Sequence, residues 1–189
     1  MQKTIIILIF LTLIVQAEEN KATFAGGCFW CMEAVFQPLN GVISVESGYM
    51  GGKKAKANYK SVSRGDSGHY EVVEIRYDSD KISYTKLLDT FWRNIDPLDN
   101  QGQFYDKGEQ YQTVIFYHNT KQKELALSSK RNLNALKRFS GKIATKIKPS
   151  KEFFKAEDYH QDYFKRNTLQ YQMYKKASGR DKYLRQLWK

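Results

Sequence analysis

Cys28 and Cys31 are the two cysteines of a 189-residue chain, three positions apart in the stretch GGCFWCMEAVF, residues 26–36. Two sulfurs at this spacing suit disulfide exchange, half of a metal site, or thiol catalysis. A zinc site needs about four ligands. The three histidines, His69, His118 and His160, have no ligand spacing to the cysteines, so no metal is expected. A structural disulfide here would close a very small loop and remove little unfolded-state entropy. CxxC spacing with flanking aromatics points instead to redox chemistry.

The neighbouring residues sharpen this reading. The stretch 28–37 is predicted as a helix stopped by Pro38. Cys28 would then sit at a helix N-terminus, where free N–H groups and the dipole favour a thiolate. Gly26 and Gly27 let the backbone approach a substrate closely. Phe29 and Trp30 are either core residues or the walls of a pocket for an apolar group beside the sulfur.

Glu71 is the most informative acid. In the alternating run 70–77 it shares one face with Val73, Ile75 and Tyr77, while Tyr70, Val72, Glu74 and Arg76 share the other. Burial on an apolar face raises a carboxyl pKa and suits a general acid. A position near the strand end would instead leave Glu71 in solvent. Tyr59, Asp106 and Tyr111 lie in two long loops, where each taken singly is an ordinary polar residue.

Several elements must position these groups. Strands are predicted at 21–25, 42–49, 70–77, 112–117 and 143–147, and helices at 28–37, 83–95 and 119–139. Residues 50–68 and 96–111 form long loops, which are uncommon in compact domains and usually functional. The tail from Lys151 is basic and aromatic, with helical pieces and no strong strand. This order predicts an α+β fold: a ferredoxin-like α/β sandwich with a mostly antiparallel sheet, helices on one side and an irregular C-terminal tail.

The N-terminus reads as a targeting segment. Met1–Lys3 is a short basic start, and residues 4–15 form an apolar run. Small residues follow around Ala17 and then Glu18 and Glu19. This pattern predicts a signal peptide over 1–17, leaving one domain over 18–189. The run is shorter than the roughly 20 residues that span a bilayer, so no stable membrane anchor is expected. The chain is expected to be exported, periplasmic or secreted. Its net charge of +11 comes from scattered lysines, without a nucleic-acid motif or stacking signature. Nucleic acid is therefore not an expected partner.

Taken together, the segments resemble peptide methionine sulfoxide reductases of the A type, from about Ala22 to about Tyr171. GGCFWCMEAVF resembles the family's nucleophile motif and NYKSVSRGDSGHYEVVEIRYD its second motif. LLDTFWRNIDP, GQFYDKGEQYQT and AEDYHQDYFKRN follow in the family's order. The resemblance implies that Cys28 is the nucleophile and that Glu71 protonates the sulfoxide oxygen. It implies that Phe29 and Trp30 hold the methyl group, and that Tyr59, Asp106 and Tyr111 bind the oxygen or the leaving water. It implies reduction of methionine S-sulfoxide, free or in oxidised proteins, with no metal or organic cofactor. Electrons would come from a thioredoxin-like thiol donor.

Cys31 is a candidate to resolve a Cys28 sulfenic acid, because positions i and i+3 of a helix lie on one face. Two alternatives stand beside the reductase. A thioredoxin-like disulfide oxidoreductase also places CxxC at a strand–helix junction, and a basic secreted binding module could carry an incidental disulfide.

Overall fold

A computed structural model describes residues 20–136 and 138–188. The expected signal peptide lies outside the described residues. The chain runs β1 (Asn20–Ala25), α1 (Phe29–Phe36), β2 (Val42–Met50), α2 (Tyr59–Val62), β3 (Tyr70–Tyr77) and α3 (Tyr84–Arg93). A small hairpin follows, β4 (Gly102–Gln103) and β5 (Asp106–Lys107), then β6 (Val114–Tyr117), α4 (Thr120–Ala135) and β7 (Lys146–Pro149). The tail contains β8 (Phe153–Lys155), α5 (Tyr163–Arg166), α6 (Thr168–Ala177) and α7 (Arg180–Leu187).

Six strands form one sheet in the order β7-β6-β1-β3-β2-β8. The pairs from β6 to β8 are antiparallel, and β6–β7 is parallel. Within it, β6-β1-β3-β2 with α1 and α3 is the split βαβ arrangement expected of a ferredoxin-like core.

Alternation along the strands decides what each face buries. Phe24, Val73, Ile75 and Tyr49 face the main core with Phe29, Met32 and Phe36 of α1 and Leu87, Leu88 and Phe91 of α3. Phe24 stacks on Phe36 at 5.3 Å and on Phe91 at 5.0 Å, joining β1 to both helices. Each fully buried ring of this kind contributes about 1.5–3 kcal/mol. Ala25, Met50, Tyr70, Val72 and Phe116 form a smaller cluster on the opposite face.

The helices start where their sequences supply caps. Ser83 accepts a hydrogen bond from the Lys86 N–H at 3.2 Å, and Asn119 from the Gln122 N–H at 2.9 Å. Such caps satisfy N–H groups that the helix itself leaves unpaired.

Three details differ from the sequence reading. The strand expected at 143–147 begins at Lys146 and runs to Pro149, while Ile143 buries its side chain in the core before the strand starts. Pro149 is tolerated because β7 is an edge strand, where a missing N–H breaks no ladder. Helix α4 ends at Ala135, short of Phe139. The tail contributes a strand, β8, which extends the sheet beside β2. Gly48 makes that docking possible: a Cβ there would lie 2.3 Å from the Phe153 ring.

Two side chains fasten the tail further. The Gln161 side-chain amide accepts from the Ser47 N–H at 3.0 Å and donates to the Ser47 carbonyl at 2.9 Å, in the manner of a neighbouring strand. Glu33 of α1 accepts from the Asp162 N–H at 3.0 Å and from the Ser47 hydroxyl at 3.3 Å.

Candidate active site

The glycine turn before α1 is built for close approach. Gly27 has φ +83°, and a Cβ on it would stand 2.6 Å from Cβ of Gln103 and 3.2 Å from the Arg180 guanidinium. A side chain at this position would meet both steric and backbone strain. Cys28 follows as the N-cap residue of α1. It is 6% exposed, and Cys31, one turn on, is buried behind it. Both thiols are free and pack against Tyr171.

The ionisation expected at Cys28 is overturned. The Cys28 side chain makes no cap hydrogen bond to the helix N-terminus. Instead the Phe29 N–H donates to Oε2 of Glu71 at 3.1 Å. Burial raises the Cys28 thiol well above its ordinary value, and the neighbouring Cys31 and Glu71 add to the effect. Cys31 is shifted the other way: hydrogen bonding from Cys28 lowers it, burial opposes, and the Arg180 charge and the Tyr171 hydroxyl help. The opposed shifts fit a Cys28 thiol that donates its proton towards Cys31.

Glu71 leaves β3 on the main-core face and is 2% exposed. Burial pushes its carboxyl up to about 8; the Phe29 N–H opposes this, while Asp106 and Cys31 reinforce it. The carboxyl is therefore protonated at neutral pH, the state a general acid needs.

The long loops deliver the remaining groups. Tyr59 opens α2, capped by Asn58, and its N–H donates to Oε1 of Glu157 at 2.9 Å. Asp106 stands on β5 and accepts a short hydrogen bond from the Tyr174 hydroxyl. Burial raises the Asp106 carboxyl, and Tyr174, Arg180 and Lys107 pull it back. Tyr111 ends a short 3-10 turn after the hairpin, and burial raises its phenol.

All the site residues expected from sequence except Cys31 line one pocket with Tyr174: Cys28, Phe29, Trp30, Tyr59, Glu71, Asp106 and Tyr111. Its volume is about 70 Å³. Ordinary cofactor and ligand pockets run to roughly 300–1,000 Å³, so this one suits the end of a single side chain. Phe29 and Trp30 form its apolar wall. Trp30 stacks on Tyr163 at 3.8 Å and donates its indole N–H to Nδ1 of His160 at 3.1 Å.

Sequence reasoning missed the tail's share of the site: Glu157, His160, Tyr171, Tyr174 and Arg180. Tyr171 and Tyr174 stand three apart, a spacing that places both on one face of α6. That signal was present in the sequence. Nothing local marks Arg180, which meets the site only through tertiary packing.

A nucleophilic sulfur, a protonated buried carboxyl and an apolar wall within so small a space fit reduction of a sulfoxide. The sequence model described as peptide methionine sulfoxide reductase matches residues 20–189. This chain belongs to the peptide methionine sulfoxide reductase family. It is 48% identical to the peptide methionine sulfoxide reductase MsrA of Bacillus licheniformis over 173 residues, covering 91% of this chain and 96% of that protein. It is 46% identical over 172 residues to the MsrA/MsrB protein of Vibrio cholerae, covering 91% of this chain but 46% of that longer protein. Reduced Mxr1 from Saccharomyces cerevisiae shares the fold with a TM-score of 0.76 and 33% identity, over 81% of this chain and 88% of that one. Mxr1 in complex with Trx2 matches with a TM-score of 0.55 and 25% identity, over 78% of this chain and 86% of that one. These similarities favour a methionine sulfoxide reductase, an oxidoreductase of the A type, over a thioredoxin-like disulfide exchanger.

Proposed function

We propose that this site reduces the S epimer of methionine sulfoxide, in oxidised proteins or free, through a sulfenic acid on Cys28. The observation that carries the proposal is the placement of Cys28 and the buried Glu71 carboxyl in one small pocket walled by Phe29 and Trp30. The substrate methyl group packs on the aromatic wall, and the oxygen faces Glu71, Tyr59, Asp106 and Tyr111. The Cys28 proton passes to Cys31, and the resulting thiolate attacks the sulfoxide sulfur. Glu71 gives its proton to the oxygen. Collapse of the adduct transfers the hydroxyl to Cys28, releasing methionine and leaving Cys28 as sulfenic acid. The sulfoxide sulfur gains the two electrons that the Cys28 sulfur loses.

Cys31 then resolves the sulfenic acid. Its sulfur attacks that of Cys28, the S–S bond forms and water leaves. Cys31 packs in the same cluster as Cys28, which supports direct attack without a large rearrangement. A thioredoxin-like donor reduces the disulfide. The complex of Mxr1 with Trx2 supports a donor of this class for the chain.

The test is Cys31→Ser given sulfoxide without reductant. The parent is expected to release methionine and lose both thiols. The variant is expected to release one equivalent of methionine, more slowly because the acceptor of the Cys28 proton is gone, and to hold a sulfenic acid that dimedone traps. A parent with a lasting sulfenic acid and a free Cys31 overturns the resolving role. Turnover of an R-sulfoxide peptide in place of the S epimer overturns the stereochemical assignment.

The leading segment supports export of the enzyme with removal of residues 1–17. N-terminal sequencing of the exported protein is then expected to start at Glu18. An exported protein that retains Met1 overturns this cleavage.

A further inference from the structure

Three tyrosines line the pocket, and their hydroxyls differ in what they hold. Those of Tyr59 and Tyr111 have no hydrogen-bond partner among the described residues. That of Tyr174 is committed. It donates to Oδ2 of Asp106, a residue 68 positions earlier in the chain.

Asp106 depends on such a partner. It stands on β5, two residues that pair only with β4 and lie outside the six-stranded sheet. Gln103 secures this hairpin. Its side-chain amide accepts from the Asp96 N–H at 2.7 Å and donates to the Asp96 carbonyl at 2.8 Å. These bonds fix β4 and leave the Asp106 carboxyl to turn about its own side-chain bonds. Among the described residues, Tyr174 is the hydrogen-bond donor to that carboxyl, and Oδ1 has none.

Tyr174 is itself held from two sides. Its ring meets Trp30 edge-on, at 5.9 Å between centroids and 83° between planes. It also packs against the cluster of Cys28, Cys31 and Tyr171. One side chain on α6 therefore joins the apolar wall of the pocket to its acidic side.

We propose that Tyr174 is a positioning residue of sulfoxide reduction: by occupying Oδ2 of Asp106, its hydroxyl fixes the carboxylate with Oδ1 directed at the substrate oxygen. The role rests on the proposed orientation of the substrate, with its oxygen beside Glu71, Tyr59, Asp106 and Tyr111. A sulfoxide oxygen is an acceptor and offers a carboxylate nothing. The phenols of Tyr59 and Tyr111 can donate to it from the start. Once Glu71 has given its proton, the same oxygen is a hydroxyl and a donor. An ionised Asp106 is an acceptor only, so its bond to the substrate begins with that protonation. An interaction made only on the way to the transition state raises the rate without tightening binding. Asp106 takes up no proton in this role, and no electron moves.

The Tyr174 hydroxyl also bears on the charge of Asp106. A hydrogen bond to an ionised carboxylate favours that form. Burial raises the Asp106 carboxyl, while Tyr174, Arg180 and Lys107 oppose the rise. Across the pocket Asp106 faces Glu71, Cys28, Cys31, Tyr59 and Tyr111. Loss of the hydroxyl raises the carboxyl further. The acceptor is then lost at a higher pH as pH falls, so the acid limb of the rate moves upward.

The experiment follows methionine release in single turnovers with a sulfoxide peptide, across peptide concentration and pH. It compares the parent, Tyr174→Phe, Asp106→Asn and the double variant. Tyr174→Phe removes the hydroxyl and keeps the ring on Trp30. Its limiting rate is expected to fall roughly 10-fold, with the half-saturating peptide concentration nearly unchanged and the acid limb moved to higher pH. In the Asp106→Asn background the same substitution is expected to cost less than about 2-fold, because the hydroxyl acts through the carboxylate. A parent-like rate in Tyr174→Phe, an unmoved acid limb, or an undiminished effect in the Asp106→Asn background overturns the role of Tyr174. Weaker peptide binding with the limiting rate preserved also overturns it and leaves a structural wall. Parent-like reduction by Asp106→Asn overturns the proposed oxygen site instead. Should Tyr174→Phe fail to fold, Tyr174 is replaced by 3-fluorotyrosine, a stronger donor of nearly the same shape. The acid limb is then expected to move to lower pH, and an unmoved limb overturns the proposal.

Discussion

Cys28→Ser is expected to abolish sulfoxide reduction while leaving the fold intact. Serine is nearly isosteric with cysteine, and the Cys28 side chain makes no cap hydrogen bond to α1, so thermal stability should change little. The chemistry cannot survive. A serine hydroxyl is far less ionised than a thiol, and its oxygen cannot take up the sulfoxide oxygen as a sulfenic acid. Methionine release should fall to background in single-turnover assays with excess enzyme, although Glu71 and the aromatic wall remain in place. The same variant should retain the Cys31 thiol. Measurable stoichiometric methionine release by Cys28→Ser would show that Cys31, or another group, is the nucleophile.

Glu71→Gln is expected to slow sulfenic acid formation by about 10²–10⁴-fold, the usual range for loss of a general acid. Glutamine keeps the size and still accepts from the Phe29 N–H, but it has no carboxyl proton to deliver. The parent's rate should fall as pH rises through about 8, where Glu71 loses its proton. This limb should be absent from the Gln variant. A parent-like rate, or an unchanged high-pH limb, excludes the acid role.

Stability should move in the opposite sense. Unfolded Glu releases its proton near about 4.3, whereas the folded state retains it to about 8. Stability is therefore full below the unfolded pKa and is lost as pH rises across that window. Glu71→Gln should melt higher than the parent at pH 8, with the difference shrinking towards pH 4. Such a trade of stability for a protonated acid is common at active sites.

The parts of this site differ in how far their sequences announced them. Glu71 was legible because a strand alternates strictly. Val73, Ile75 and Tyr77 marked its face as the core face. Tyr59, Asp106 and Tyr111 were legible only as members of two long segments. The pocket forms when a short helix and a hairpin fold those segments inward.

The charge state of Cys28 was misread for a specific reason. The helix N-terminus does favour an anion, but its donor goes to Glu71, and burial governs the thiol. Strand β8 is three residues long and exists through pairing with β2, so its own sequence carries little signal. Arg180 depends on closure of nearly the whole chain. No local pattern encodes a contact of that range.

That range also has a meaning in time. Gly26 and Arg180 are hydrogen-bonded yet stand 154 positions apart. A ribosome adding about 5–20 residues per second needs roughly 8–30 s to travel between them. For most of that interval the two cysteines exist without the tyrosines, the histidine and the arginine that the tail later supplies. The nascent enzyme therefore carries its sulfurs before it carries their surroundings. A ribosome that stops early releases a chain with both thiols and an incomplete site around them.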